Sequence, residues 1–217
     1  MSAAASSAGR FLTMEGIEGV GKSTQVARLS AALLDKGIAH VVTREPGGTA
    51  LAEKIRDVVL TAGEETLPAT AELLLMFAAR AVHLKNLVEP NLRAGRWVIC
   101  DRFTDATYAY QGGGRGLPVE QIRALETMVQ GALRPDITIL LDAPVASALA
   151  RARSRNAGAA PDRFEREKAA FFERVRNAYL ARAAAHPDRI AVVDATRSVD
   201  EVGAQILAQL VGRTWIS

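Results

Sequence analysis

The chain has 217 residues, with 27 Lys and Arg against 24 Asp and Glu, a formal net charge of +3 and 49% hydrophobic residues. That length suits one domain with a sizeable core. The mild basic excess favours anionic ligands, but no Lys/Arg block is interleaved with aromatics, which argues against a nucleic-acid partner.

Residues 1–9 are small and polar and lack the apolar core of a signal peptide. They are expected to form a disordered tail ahead of a single domain over 10–212. No run approaches the roughly 20 apolar residues of a membrane span, and one cysteine excludes an internal disulfide. Both features suit a cytoplasmic protein with no membrane partner. Cys100 itself sits in an apolar run and reads as a core residue.

Strand-length apolar runs occupy 11–14, 40–43, 97–100, 137–141 and 190–193. Helical periodicity fills 22–36, 50–60, 69–94, 119–133, 145–153, 165–185 and 199–210. Apolar strands alternating with helices predict an α/β fold whose parallel sheet is covered on both faces. In such sheets ligands sit beyond the carboxyl ends of the strands.

The first strand leads into Gly16-Ile17-Glu18-Gly19-Val20-Gly21-Lys22-Ser23, followed by Thr24 and a helical run. This is G-x-x-x-x-G-K-S, a phosphate-binding P-loop in its strand–loop–helix setting. Glycines let successive N–H groups turn inward as an anion nest, and the helix adds its positive N-terminal end. Lys22 can reach β- and γ-phosphates, and Ser23 offers a hydroxyl to Mg²⁺.

The second strand ends in Arg44-Glu45-Pro46-Gly47-Gly48-Thr49, where Arg44 meets either an anionic substrate or Glu45. Phe77 and Arg80, three apart, share a helix face that is either core or a grip on a base. The third strand ends in Asp101-Arg102-Phe103 and the fourth in Asp142, so two aspartates compete for a Walker-B role at Mg²⁺. Thr107-Tyr108-Ala109-Tyr110-Gln111 runs into Gly112-Gly113-Gly114, one candidate mobile break. The second break is 156–161, flanked by Arg151, Arg153, Arg155 and Arg163, a composition suited to a lid closing on phosphates over about 151–163.

Taken in order, the P-loop, Arg44-Glu45-Pro46-Gly47-Gly48-Thr49, Phe77-Ala78-Ala79-Arg80, Asp101-Arg102-Phe103, Ala109-Tyr110-Gln111-Gly112 and Asp162-Arg163 resemble the bacterial thymidylate kinases over about 11–210. The resemblance implies a P-loop three-layer sandwich with a five-stranded parallel sheet, and a homodimer. It implies Mg²⁺-dependent transfer of the ATP γ-phosphate to dTMP, giving dTDP and ADP for dTTP biosynthesis. Gly16 to Thr24 would hold the ATP phosphates, assisted by Arg151 and Arg155, with Ser23 and Asp101 at the metal. Lys22, Arg102, Arg153 and Glu18 form the implied catalytic set, Glu18 near the sugar 3′-hydroxyl and Arg102 on the dTMP phosphate with Arg44 in support. Phe77 would stack on thymine, Arg80 would bind its edge, Tyr110 would disfavour a ribose 2′-hydroxyl, and Thr107 and Gln111 would line the base pocket.

The P-loop interior holds no basic residue, so the chain resembles the family members whose catalytic arginine lies in the lid. On a continuing helix Arg151 and Arg155 share a face and Arg153 points away; Arg153 is chosen by motif alignment. Many relatives carry serine where this chain has Ala106, and the neighbouring Thr107 supplies the nearest hydroxyl. The rival readings are a kinase of the same architecture with another acceptor, and a nucleotide-binding switch. A GTP-type N-K-x-D pattern is missing, which weakens a GTPase among such switches.

Overall fold

The structure, a computed structural model, describes residues 9–61, 65–155, 163–164 and 166–216. Five strands form one sheet: β1 Phe11–Glu15, β2 His40–Arg44, β3 Trp97–Asp101, β4 Ile137–Asp142 and β5 Ile190–Asp194. All pair in parallel, in the order β2-β3-β1-β4-β5. Each strand runs one residue beyond its apolar stretch and ends on a charged side chain: Glu15, Arg44, Asp101, Asp142 or Asp194. The apolar pattern stops one residue before the hydrogen-bonded ladder, which continues to the edge where ligands bind in such sheets.

β1 lies at the centre, and all five of its residues are buried. Its side chains alternate between two clusters, as strand geometry requires. Leu12 and Met14 join Ile99, Leu29, Leu33 and Ile206 on one face, while Phe11 joins Val98, Cys100, Phe103, Leu84 and Val88 on the other. Cys100 is fully buried, as the apolar run implied. The outer strands β2 and β5 are only partly covered.

The helices are α1 Lys22–Asp35, α2 Ala50–Leu60, α3 Ala69–His83, α4 Glu89–Arg93, α5 Thr104–Thr107, α6 Val119–Gln130, α7 Val145–Arg155, α8 Ala169–Ala185 and α9 Val199–Val211. The single helix expected over 69–94 is α3 and α4 joined by a π-helical turn, Leu84–Val88. Pro90 has no N–H for the carbonyl four residues back and crowds it, so the helix widens there.

The segment after β3 departs most from expectation. α5 runs straight into a π-helical stretch, Tyr108–Gly114, so the triple glycine is not a loose break. A Cβ on Gly113 would stand 2.5 Å from the Ala178 Cβ, and one on Gly114 would stand 2.6 Å from the Phe171 ring. Glycine is needed there because α8 packs on that backbone. Gly9, assigned to the tail by composition, lies so close to the Arg96 carbonyl oxygen that a Cβ would come within 2.5 Å. The rest of the tail and the break at 156–161 lie outside the described residues.

Candidate active site

β1 delivers the chain to Gly16 at the middle of the sheet. Gly16, Gly19 and Gly21 have φ of 133, 77 and 95°, a region closed to most side chains. Gly16 is pressed on the Leu141 carbonyl and Gly19 on the Ala148 carbonyl, at 2.4 and 1.9 Å from where a Cβ would stand. The loop is thus seated on β4 and α7. Gly21 caps α1, and Lys22 begins it. Ile17 and Val20 bury their side chains in the core, which leaves backbone groups for a ligand.

The Lys22 ammonium arches back over the loop and donates to the carbonyls of Gly16 (3.1 Å) and Ile17 (2.9 Å). Burial, then the charge of Arg102, push its pKa down to about 8. A cavity of about 240 Å³ opens beside it, lined by Gly19, Gly21, Lys22, Ser23, Arg44 and Asp101 together with Glu18, Glu45, Arg56 and Arg102. Thr24 is exposed on the first turn of α1 and is not among these lining residues.

Arg102 follows β3 with a left-handed φ of 69°. That backbone is uncommon for a side chain of this size, and two buried contacts pin it. Its N–H donates to Met14 O at 2.9 Å, and the next N–H, of Phe103, donates to the Glu15 carboxyl at 2.7 Å. The guanidinium then reaches Glu18 (2.6 Å), Gly16 O (2.8 Å) and Tyr179 Oη (3.2 Å), and stands over the Tyr110 ring. Tyr110 donates its hydroxyl to the other oxygen of Glu18 at 2.6 Å. Burial alone would raise the Glu18 pKa; the charges of Arg102 and Lys22 overcome it and hold the carboxyl below its ordinary range.

A second cavity lies on the far side of this pair. Arg102, Glu18, Glu45 and Arg56 line it too, joined by Met76, Arg80, Phe103, Ala106, Thr107, Tyr110, Gln111 and Phe164. Arg80 is held by Glu45 (2.7 Å) and Thr107 (2.9 Å) and sandwiched between the rings of Phe77 and Phe103. Its Nη1 is buried with no partner among the described residues. A buried donor without a partner calls for an explanation, and Arg80 is among the residues that line this cavity. Gln111 donates to Glu72 at 2.6 Å, and Arg115 and Arg163 close on the same carboxylate.

Two expectations change here. Phe77 does not line the cavity; it is 2% exposed among Leu73, Tyr108 and Ile122. Met76, four residues before Arg80, takes the position on the cavity wall. Arg44 pairs with Glu53 at 2.9 Å rather than with Glu45, and it faces the P-loop cavity.

The two aspartates separate cleanly. Asp142 is bound by both ends of the Arg176 guanidinium, at 2.7 and 2.8 Å. Asp101 lines the P-loop cavity with Ser23, and its Oδ1 is buried without a partner among the described residues. An orphaned carboxylate oxygen beside a hydroxyl is a donor set that fits Mg²⁺ bound mainly by phosphates and water. No group of three or more His, Cys, Asp and Glu among the described residues forms a cage for a metal by itself.

α7 continues through Arg155. Arg151 donates to Ala195 O at 3.1 Å, and Arg153 is exposed. Residues without a sequence signal complete the site. Glu15 was hidden because the apolar run ended at Met14, and Tyr179 comes from α8, some 80 residues after Arg102 in the chain. Burial, then the charge of Asp105, push the Glu15 pKa up to about 8.

The family profile for thymidylate kinase matches residues 14–206. The chain is 58% identical over 206 residues to the thymidylate kinase of Chromohalobacter salexigens, covering 94% of this chain and 96% of that protein. It is 57% identical over 202 residues to that of Bordetella petrii, covering 93% and 95%. The crystal structure of thymidylate kinase from Ehrlichia chaffeensis superposes with a TM-score of 0.75 at 30% identity, over 93% of this chain and 98% of that one.

Proposed function

The chain belongs to the thymidylate kinase family, and on that premise we propose that it moves the ATP γ-phosphate onto dTMP with Lys22, Arg102 and a lid arginine around the transferred group. One observation carries this division of labour. The P-loop cavity and the base cavity share Glu18, Glu45, Arg56 and Arg102. A donor phosphate chain in one and an acceptor monophosphate in the other therefore meet at Arg102.

Phosphoryl transfer needs alignment and charge neutralisation more than covalent help. The dTMP phosphate is already an anionic nucleophile. Lys22 and the loop N–H groups hold the donor, while Arg102, supported by Arg44 and Arg56, holds the acceptor. Glu18 and Tyr110 form the wall assigned to the sugar, Glu18 at the 3′-hydroxyl and the Tyr110 ring where a ribose 2′-hydroxyl would need room. The free Nη1 of Arg80 is the donor for the thymine edge. Mg²⁺, held by Ser23 and Asp101, would offset charge on the phosphates.

We extend the reading to one domain over 10–212 with its lid near 151–163, and to a homodimer. Exposed Leu51 and Val58 on α2, Leu74 on α3 and Met128 on α6 support a buried partner face, since α2 packs on α3 and α3 on α6. No helix among the described residues is long and apolar enough to cross a membrane; a cytoplasmic setting is read from the lone buried cysteine.

The test is ADP release with Mg-ATP and, in parallel, dTMP, dUMP, ribo-TMP, dCMP or no acceptor. Fast turnover with dTMP, less with dUMP and almost none with the ribose form is expected. ADP release indifferent to acceptor would remove the assignments from Met76 to Gln111.

A further inference from the structure

A third cavity, of about 260 Å³, is lined by four arginines from three parts of the chain: Arg123 on α6, Arg134 ahead of β4, and Arg182 and Arg189 on either side of the end of α8. Tyr108, Glu126 and His186 complete it. It shares no lining residue with the P-loop or substrate cavities.

Two carboxylates pair with these arginines: Glu126, which lines the cavity, and Asp105, which is not one of the lining residues. Asp105 accepts from Arg182 at 2.8 and 3.0 Å and from Arg189 at 2.7 and 3.0 Å. Glu126 pairs with Arg134 at 3.0 Å and accepts the Tyr108 hydroxyl at 2.5 Å. Four guanidinium charges against two carboxylates leave an excess of two positive charges around one concavity. Donors are also left over. The bonds made by these arginines engage Arg182 Nε and Nη2, Arg189 Nη1 and Nη2, and Arg134 Nε and Nη1, which leaves Arg182 Nη1, Arg189 Nε and Arg134 Nη2 to face solvent or a ligand. The Arg182 guanidinium lies 3.9 Å over the Tyr108 ring, which fixes its plane.

Guanidinium forks fixed in orientation match phosphate oxygens two at a time. The space far exceeds the roughly 30 Å³ share of one water, and the excess charge calls for more than one negative charge in the ligand. We infer that this arginine cavity is a second anion site, which binds the phosphate chain of a di- or triphosphate independently of the P-loop. An inorganic chain and a nucleoside polyphosphate present the same oxygens, and both are arms of the test.

The experiment is calorimetric titration of the full chain with inorganic tripolyphosphate and, separately, with ATP, both without Mg²⁺. Wild type is expected to bind two tripolyphosphates. Arg123→Glu together with Arg134→Gln is expected to weaken one of the two at least tenfold and leave the other intact. Lys22→Ala is expected to do the converse. Arg123 is exposed, so its single Glu variant also reads the site if the double variant is unstable. Two ATP sites with only one for tripolyphosphate, the extra one lost in Arg123→Glu, would assign the cavity to a nucleoside polyphosphate. A single site for both probes, or two sites indifferent to Arg123→Glu and Arg134→Gln, would overturn the inference.

Discussion

Glu18 holds Arg102 through a 2.6 Å ion pair while its second oxygen takes the Tyr110 hydroxyl, also at 2.6 Å. The groups assigned to the dTMP phosphate and to its sugar are thus one coupled unit before they touch substrate. On the proposed roles, a phosphate approaching Arg102 Nη2 would compete with Glu18 and would free that carboxylate for a sugar hydroxyl. Glu18→Gln keeps the shape and an acceptor for Tyr110 but removes the charge. A hydrogen bond to a charged group contributes about 1.5–3 kcal/mol, so kcat/KM for dTMP should fall roughly 10- to 150-fold. Steady-state kinetics decide it; an unchanged value would mean that Glu18 only props Arg102.

Lys22 carries a pH signature. Burial and the neighbouring Arg102 bring its pKa to about 8, against 10.5 for a free lysine. Between about 8 and 10.5 the unfolded chain holds more protons than the folded one, so the penalty this buried lysine places on folding shrinks as pH rises through that window. Phosphate binding needs the ammonium, so KM for ATP should climb above about pH 8. A flat KM from pH 7 to 9.5 would count against it. Lys22→Ala should lower kcat by about 10³-fold or more with the fold retained, as loss of a charge-neutralising group implies; near-normal turnover in a folded variant would remove the role.

Glu15 gives the opposite slope. Its carboxyl, pushed up to about 8 by burial and by Asp105, binds its proton more tightly in the folded chain than at the ordinary 4.5. Its contribution to stability is full below about 4.5 and is lost as pH rises through about 8, at up to about 1.4 kcal/mol per pH unit. Glu15→Gln preserves an acceptor for the Phe103 N–H and cannot ionise. Its unfolding free energy should therefore decline less than wild type's between pH 5 and 8. Parallel profiles from urea titrations at each pH would contradict the buried-acid account.

The arginines assigned to the proposed lid divide by what already holds them. Arg151 is tied to the Ala195 carbonyl, which leaves Arg153 the freer of the two. Arg153→Ala should lower kcat by about 10²-fold, the scale of one transition-state donor, with dTMP affinity little changed. If kcat stays at the wild-type value, the role passes to Arg151 or Arg155.

What the sequence disclosed followed a physical rule. Strands and the P-loop were legible because apolar runs and glycine spacing are local. Asp101 and Asp142 could not be ranked, since both end buried strands; only the Arg176 fork on Asp142 separates them. Gly113 and Gly114 looked like a break because α8, which requires their missing side chains, lies some 60 residues away in the chain. Glu15 and Tyr179 act through contacts across the fold that no spacing records.

Helix periodicity also failed at one residue, and this gives the last prediction. Phe77 and Met76 lie three and four positions before Arg80, and both spacings place a side chain beside it. The aromatic residue was the natural choice for stacking on a base. The structure puts its ring under Arg80 and inside the core, and gives the cavity wall to half-buried Met76. Met76→Ala should therefore raise KM for dTMP about tenfold, the scale of one apolar contact of 1–3 kcal/mol in a binding pocket, and move Tm little. Phe77→Leu should lower stability by about 1–2 kcal/mol through imperfect refilling of a buried site while leaving KM within about threefold, below the roughly 1.4 kcal/mol that a tenfold change needs. Urea denaturation and dTMP saturation curves on the two variants separate these outcomes. If Phe77→Leu shifts KM more than Met76→Ala does, the base rests on the aromatic ring after all, and α3 must turn on its axis when dTMP binds.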